Sequence, residues 1–245
     1  MEGQGAVGIN FDETLLGYDL IGRTNRVVDP TGTIDRTVYD VRGLATANWS
    51  GTNDNCATDF DPTGGGATGN NMVRLGGMEY DNGTAGGDGN LTTQTDYVDA
   101  TTVRTTVYAY DFRSRNTVTD GEEGFYQELF YDNLNHVIRV DRLDSSASGN
   151  LIARSATNFD DRGRVYQTLR YAVNPGTGTV GNSLIGNTWY DASNNVLCML
   201  PSGSQTFTKT KYDGVSRSIL SYAGYNPSAV IVPNSVASDL IFAQS

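Results

Sequence analysis

The chain has one histidine, two cysteines and 17 basic residues against 28 acidic ones in 245 positions, and each scarcity removes a class of function. Any Ser-His-Asp or Cys-His catalytic group would have to use His136, the single imidazole. The surrounding residues carry neither a nucleophile elbow nor a cysteine-enzyme signature. Cys56 and Cys198 are far apart in sequence, show no metal-ligand spacing, and read as free thiols, Cys198 as a small apolar residue in a strand. The net charge of −11 opposes binding to nucleic acid, which needs a basic patch to neutralise phosphates, and opposes docking on anionic membranes. No apolar run approaches 18 residues, so no membrane insertion is expected, and residues 1–16 lack the basic and apolar regions of a signal peptide.

What is abundant is turn chemistry. Asp supplies 22 of the 28 acidic residues, and there are 29 Gly, 28 Thr and 21 Asn. Asp, Asn and Gly are poor helix formers that favour reversals, so strands and turns are expected and no long helix.

Eight times an aromatic residue is followed by aspartate: Tyr18-Asp19, Tyr39-Asp40, Tyr80-Asp81, Tyr110-Asp111, Tyr131-Asp132, Phe159-Asp160, Tyr190-Asp191 and Tyr212-Asp213. The aromatics are spaced by 21, 41, 30, 21, 28, 31 and 22 residues, a base step of about 21 that marks a repeat array. Phe60-Asp61, followed by Gly64, would split the gap of 41 into 21 and 20; the alternative is plain loop around Pro62 and the Gly64–Gly66 run.

Four residues after the aromatic stand Gly22, Gly43, Asn135, Gly163 and Asn194, types that accept a positive φ at little cost. Ser114 and Ser216 fill the same slot less well, which suggests a different turn there. The Asp ahead of each turn has an oxygen placed to accept backbone N–H groups two residues on. Arg23, Arg115, Arg164 and Arg217 follow the turn, and His136 occupies the same slot. Upstream lie β-branched and aromatic segments, so each unit reads as strand, tight turn, return strand. The residues two before the aromatic (Leu16, Thr37, Met78, Tyr108, Leu129, Thr157, Thr188, Thr210) read as the packed face, and those one before it as a partly covered face.

The spacing in excess of 21 residues places insertions at Asn82–Gly89, in a turn, and at Ser145–Asn150 and Asn174–Gly181, between repeats. The Asp-rich stretches Asn53–Asp61 and Asp81–Asn90 lack the alternating ligands and closing Glu of an EF-hand, so no metal or other cofactor is expected. The repeated Asp residues are accounted for by turns, so no paired-carboxylate active site is indicated and the chain reads as not an enzyme. Tyr and Trp leave a glycan-binding role open, although the repeated Tyr also suits packing between hairpins.

Tyr18-Asp19-Leu20-Ile21-Gly22-Arg23 and Phe159-Asp160-Asp161-Arg162-Gly163-Arg164 resemble the YD-repeat, or Rhs-type, family of bacteria, and the longer blocks resemble those of large surface-associated planctomycete members. The resemblance runs from about Phe11 to Tyr225. It implies an all-β fold in which tandem hairpins form a continuous curved or spiralling antiparallel sheet, a segment of a shell or solenoid. It also implies one array over residues 1–245 cut from a longer exported protein, extracellular or in the cell envelope. The implied role is a non-catalytic shell, fibre or spacer; the alternatives are a module binding glycans or neighbouring cells, or the encapsulating part of a toxin whose active domain lies elsewhere. Expected partners are other segments or copies of the same protein, glycans, or an encapsulated C-terminal polypeptide. The family's C-terminal core segment has no counterpart here. Leu240–Ser245 reads as an unblunted strand edge, so self-association through it is expected.

Overall fold

The computed structural model describes residues 8 and 11–244, apart from 85, 100, 229, 230 and 237; Ser245 of the expected edge, Ala85 of the expected turn insertion, and residues 1–7, 9 and 10 of the N-terminal stretch lie outside the described residues. The fold is all-β, with strands joined as an antiparallel meander and one short 3₁₀ turn at Asp81–Gly83. The chain divides into two compact units, Met1–Glu122 and Glu123–Ser245. The first contains β1 (Leu15–Tyr18), β2 (Thr24–Val28), β3 (Ile34–Tyr39), β4 (Ala45–Gly51), β5 (Val73–Tyr80), β6 (Leu91–Tyr97), β7 (Val103–Tyr110) and β8 (Asn116–Gly121). The second contains β9 (Phe125–Tyr131), β10 (Val137–Asp144), β11 (Leu151–Phe159), β12 (Val165–Asn174), β13 (Thr179–Tyr190), β14 (Val196–Leu200), β15 (Thr206–Tyr212), β16 (Ser218–Tyr225) and β17 (Leu240–Gln244). Within each unit every strand pairs antiparallel with the next.

All eight odd-numbered strands from β1 to β15 end on the aromatic of an aromatic-Asp pair. The register shifts by one residue where each strand meets its turn, as between Gly17 and Tyr18 or Asn158 and Phe159. A bulge at the strand end raises local twist and re-aims the aromatic ring.

In β3, β9 and β15 the deeply buried residues lie on the face opposite to the one expected: Ile34, Arg36, Tyr126, Phe207 and Lys209 stand three or five before the aromatic, with Ala47, Asp141, Cys198 and Tyr222 across from that face. Leu16, two before Tyr18, is exposed. In β7 the expected face is the more covered one, Tyr108 being half-buried and Val107 and Ala109 exposed. Two long connections explain the reversal in β3 and β15. Residues 52–72, which hold Phe60-Asp61 and no strand, fold back on β2 and β3, so this pair is not a ninth hairpin. Val232, Ser235 and Asp239, from the connection between β16 and β17, do the same over β15. The excess spacing is also distributed differently from expectation. Asn82–Gly89 does enlarge a turn, but Thr179–Gly181 belongs to β13, so extra residues there lengthen a hairpin whose strands run to 10 and 12 residues.

Cys198, Phe207 and Tyr222 form the centre of the second unit's core, packed by Trp189, Leu200, Leu220 and Ile231. Burial pushes the Cys198 thiol up to about 11 and the Tyr222 hydroxyl up to about 12, so both are neutral. Cys56 is exposed in the first connection, and both thiols are free. Beside this core Lys209 is 1% exposed. Its ammonium donates to the carbonyls of Val232 (2.9 Å) and Ser235 (2.7 Å) and pairs with the Asp239 carboxylate.

A buried ion pair is costly to half-remove, because the remaining charge stays desolvated. Lys209→Met is expected to lower the unfolding free energy by about 3–5 kcal/mol, and Lys209→Met/Asp239→Leu to recover part of that loss. Urea unfolding of both variants checks it; a double variant no more stable than the single one would show that the two charges are not coupled.

The aspartate-clamped turn array as candidate functional site

The turn in each repeat follows from three residues. Gly22 donates its N–H to the Asp19 carbonyl (3.0 Å), and the Asp19 N–H closes the hairpin on the Arg23 carbonyl (2.9 Å). This is a type I reversal whose last residue must be left-handed, and Gly22, Gly43 and Gly163 have φ of 86°, 90° and 74°. Asn135 and Asn194 take the same position at 70°, and Ser114 and Ser216 do so at 57° and 65°. The serine copies therefore share the turn type of the glycine copies, because the Asp holds the backbone there despite the Cβ.

That hold is the same almost everywhere. One carboxylate oxygen accepts the N–H groups two and four residues on: Ile21 (3.0 Å) and Arg23 (2.9 Å) for Asp19, Arg162 and Arg164 (both 3.0 Å) for Asp160, Ser193 and Asn195 (both 2.8 Å) for Asp191. Asp40, Asp111, Asp132 and Asp213 repeat it. The other oxygen takes a side chain from the end of the same turn. Arg23, Arg115, Arg164 and Arg217 donate Nε at 2.5–2.7 Å, Asn195 donates its amide at 2.8 Å, and His136 places Nδ1 2.8 Å from Asp132. In the enlarged turn Asp81 instead takes the N–H groups of Gly89 and Asn90 (both 3.1 Å) and the guanidinium of Arg42 (2.6 Å).

Side chains of these turns also tie one turn to another. In the first unit Arg23 donates to the Asp40 carbonyl (3.1 Å), Arg42 reaches Asp81, and Asn90 donates to the Ser114 hydroxyl (3.2 Å). In the second, Arg164 donates to the Asp191 carbonyl (3.0 Å) and Asn195 to the Ser216 hydroxyl (3.1 Å). The aromatic of the following repeat covers the bridge: Arg23 lies 4.6 Å from the Tyr39 ring, Arg164 4.5 Å from the Tyr190 ring, and His136 stacks on Phe159 at 4.3 Å. Four tyrosine hydroxyls then reach back to the first residue of the preceding return strand, Tyr39 to Thr24, Tyr110 to Leu91, Tyr190 to Val165 and Tyr212 to Val196, at 2.9–3.3 Å.

Sequence reasoning missed one copy of the clamp. Asp29, in the connection between β2 and β3, takes the N–H groups of Thr31 and Thr33 (both 2.9 Å) ahead of Gly32 at φ 87°. The signal was present as Asp-x-x-Gly, without an aromatic in front. It also missed Arg36 and Lys209, whose burial depends on connections that return from later in the chain.

The carboxylates are held below the ordinary range. For Asp160 and Asp111 the guanidinium contact is the largest cause, for Asp213 the Arg217 N–H, and for Asp191 the Asn195 amide. For Asp19, Asp40 and Asp132 desolvation pulls upward and is outweighed by the N–H and side-chain donors of the turn. A carboxylate depressed in this way, with its lone pairs taken, is a poor proton donor or acceptor near neutrality. The acidic stretches around Asp54 and Asp81 are likewise committed, to Arg26 and Arg36 and to Arg42.

Two outcomes follow from this geometry. Groups whose folded pKa lies below the unfolded value stabilise the fold above about pH 4 and lose that contribution as pH falls further. Urea midpoints are therefore expected to hold from pH 7 to about 5 and to drop steeply below 4, with a shallower drop in Asp160→Asn. A flat acid profile would contradict the clamp. Gly163→Val is expected to cost at least about 1 kcal/mol, whereas Ser114→Gly and Ser216→Gly leave stability unchanged or raise it by up to about 1 kcal/mol. Thermal melts of the three variants check the sign at each position.

No family model matches the chain, and no curated protein matches it in sequence. Among solved structures it is similar to a Tc holotoxin pore of Photorhabdus luminescens, with a TM-score of 0.45 and 12% identity over 93% of this chain and 9% of that one. It is also similar to the TcdB2-TccC3-Cdc42 and TcdB2-TccC3 structures, each with a TM-score of 0.35 and 12% identity over 86% of this chain. The chain spans only 9–13% of the length of the chains it matches.

Proposed function

We propose that the chain is a non-catalytic wall segment, acting as shell, fibre or spacer within a large extracellular or cell-envelope YD-repeat protein. The observation that supports this most is the repeated turn itself. In the repeated turns the Asp carboxylates, the Arg and His side chains that follow them and four of the Tyr hydroxyls are engaged in closing a turn or fastening it to its neighbour. The same device recurs at turn after turn, which suits a surface that must stay closed over its length. Among the described residues no helix is long and apolar enough to cross a membrane. In this reading the partners are adjoining segments or copies of the same protein, and β17, exposed throughout its length, is a strand edge on which another strand can pair.

Arg164 bridges two turns, so Arg164→Met is expected to cost about 1–2 kcal/mol while leaving the far-ultraviolet spectrum strand-like. The purified chain is expected to turn over no glycoside, ester, phosphoester or peptide substrate. Turnover that disappears in Asp160→Asn or His136→Ala would sink the wall reading, and saturable binding on a glycan array would move the assignment to the surface-binding alternative.

A further inference from the structure

One row across the first unit carries three cations. Arg26 on β2 opposes Arg36 on β3, Arg36 opposes Trp49 on β4, and Trp49 opposes Arg74 on β5. The first two are satisfied by the connection that folds over them. Arg26 meets Asp54 through Nε (2.6 Å) and Nη2 (3.1 Å), and Arg36 meets Asp54 at 2.8 Å and the Thr58 carbonyl at 3.2 Å. The second unit repeats the arrangement at the equivalent position, three before the aromatic, where Lys209 takes Asp239 and the carbonyls of Val232 and Ser235. In both places a cation on this face is matched by a carboxylate and backbone carbonyls from an overlying stretch of chain.

Arg74 is the next cation in the row and has no such cover. Among the described residues it has no carboxylate partner. Its guanidinium lies 4.9 Å from the Tyr97 ring, and its Nε donates to the Gly76 carbonyl at 3.4 Å. It sits in an open groove of about 500 Å³ walled by Trp49, Phe60, Tyr97, Glu79 and Thr95. The floor is low because Gly77 has no side chain, and a Cβ there would stand 2.8 Å from the guanidinium. Phe60 rises from the rim with 74% of its surface exposed. The indole N–H of Trp49 is closed off from solvent and has no acceptor.

We propose that this groove is a docking site for an extended polypeptide segment that carries an aspartate or glutamate flanked by an apolar residue. The carboxylate pairs with Arg74 as Asp54 does with Arg36, backbone carbonyls lie along the row, and the apolar neighbour packs between Trp49, Tyr97 and Phe60. The occupant's chemistry is set by the two covered cations of the same face, and by a guanidinium with no carboxylate among the described residues within ion-pair distance, in a chain whose net charge is −11. A desolvated guanidinium–carboxylate pair within an aromatic surround provides both attraction and orientation.

The test uses the full chain and dye-labelled peptides copying residues 231–241 and 52–63, the latter with serine for cysteine, each with a partner in which every aspartate is asparagine. Fluorescence anisotropy is expected to show saturable binding of at least one aspartate peptide, weakened ten-fold or more by the asparagine change and by Arg74→Met. Gly77→Ala, which keeps the charge but displaces the guanidinium, is expected to weaken binding as well. Thermal melts confirm that each variant is folded. Equal binding of the aspartate and asparagine forms, binding insensitive to Arg74→Met, no binding of either peptide at millimolar concentration, or acetate or galacturonate binding as tightly as the peptides would each overturn the proposal.

Discussion

The structure depends on one carboxylate per repeat doing two things at once. Its first oxygen gathers two N–H groups of a reversal that would otherwise be satisfied only by water, and its second holds the side chain that reaches to the next turn. The consequences pass along the chain in order. A fixed turn sets the bulge, and the bulge aims the aromatic ring. The ring then covers the previous repeat's arginine, and its hydroxyl returns to the previous return strand. Each contact therefore requires a neighbour to be correctly formed, which gives a linear array its cooperativity.

Substitutions within the array show which parts of the device are essential. Histidine replaces arginine at His136 and keeps both the carboxylate contact and the aromatic stacking, though with a ring in place of a planar fork. Asparagine at Asn195 keeps the carboxylate contact and the link to the next turn. The enlarged turn at Asp81 loses the local pattern, and Arg42 of the preceding turn supplies the missing donor. What persists is an anion in the turn and a donor that spans to a neighbour. The identity of the donor is secondary, since any charged or amide N–H close to a desolvated carboxylate is favourable.

Turn chemistry also explains how a strongly acidic chain places cations inside. Many carboxylates are used locally in turns, and those that meet the two buried cations come from the long connections, Asp54 from one and Asp239 from the other. A lysine or arginine on a sheet face is buried only when such a connection brings both a carboxylate and carbonyls, because an uncompensated charge there would be driven out by its desolvation cost. The two units use different cations and different loops for the same purpose.

The sequence alone determined the eight hairpin tips, the left-handed slot, the Asp-to-N–H bonds two residues on and the place of His136 among the arginines, since all of these are contacts within about five residues and their chemistry is complete in the motif. The bond four residues on and the aspartate–arginine contact are equally local and could have been read from the same spacing. The tertiary structure decided which face of β3 and β15 is packed, because alternation along them looks similar on both sides until residues 52–72 and the stretch bearing Val232, Ser235 and Asp239 choose one. It decided that Phe60-Asp61 opens no hairpin, since a reversal becomes a repeat only if strands pair on both sides of it. It also decided the burial of Arg36 and Lys209, whose partners lie 18 to 30 residues away. Local hydrogen-bond chemistry is written in adjacent residues, whereas burial is a property of what returns from elsewhere in the chain to cover them.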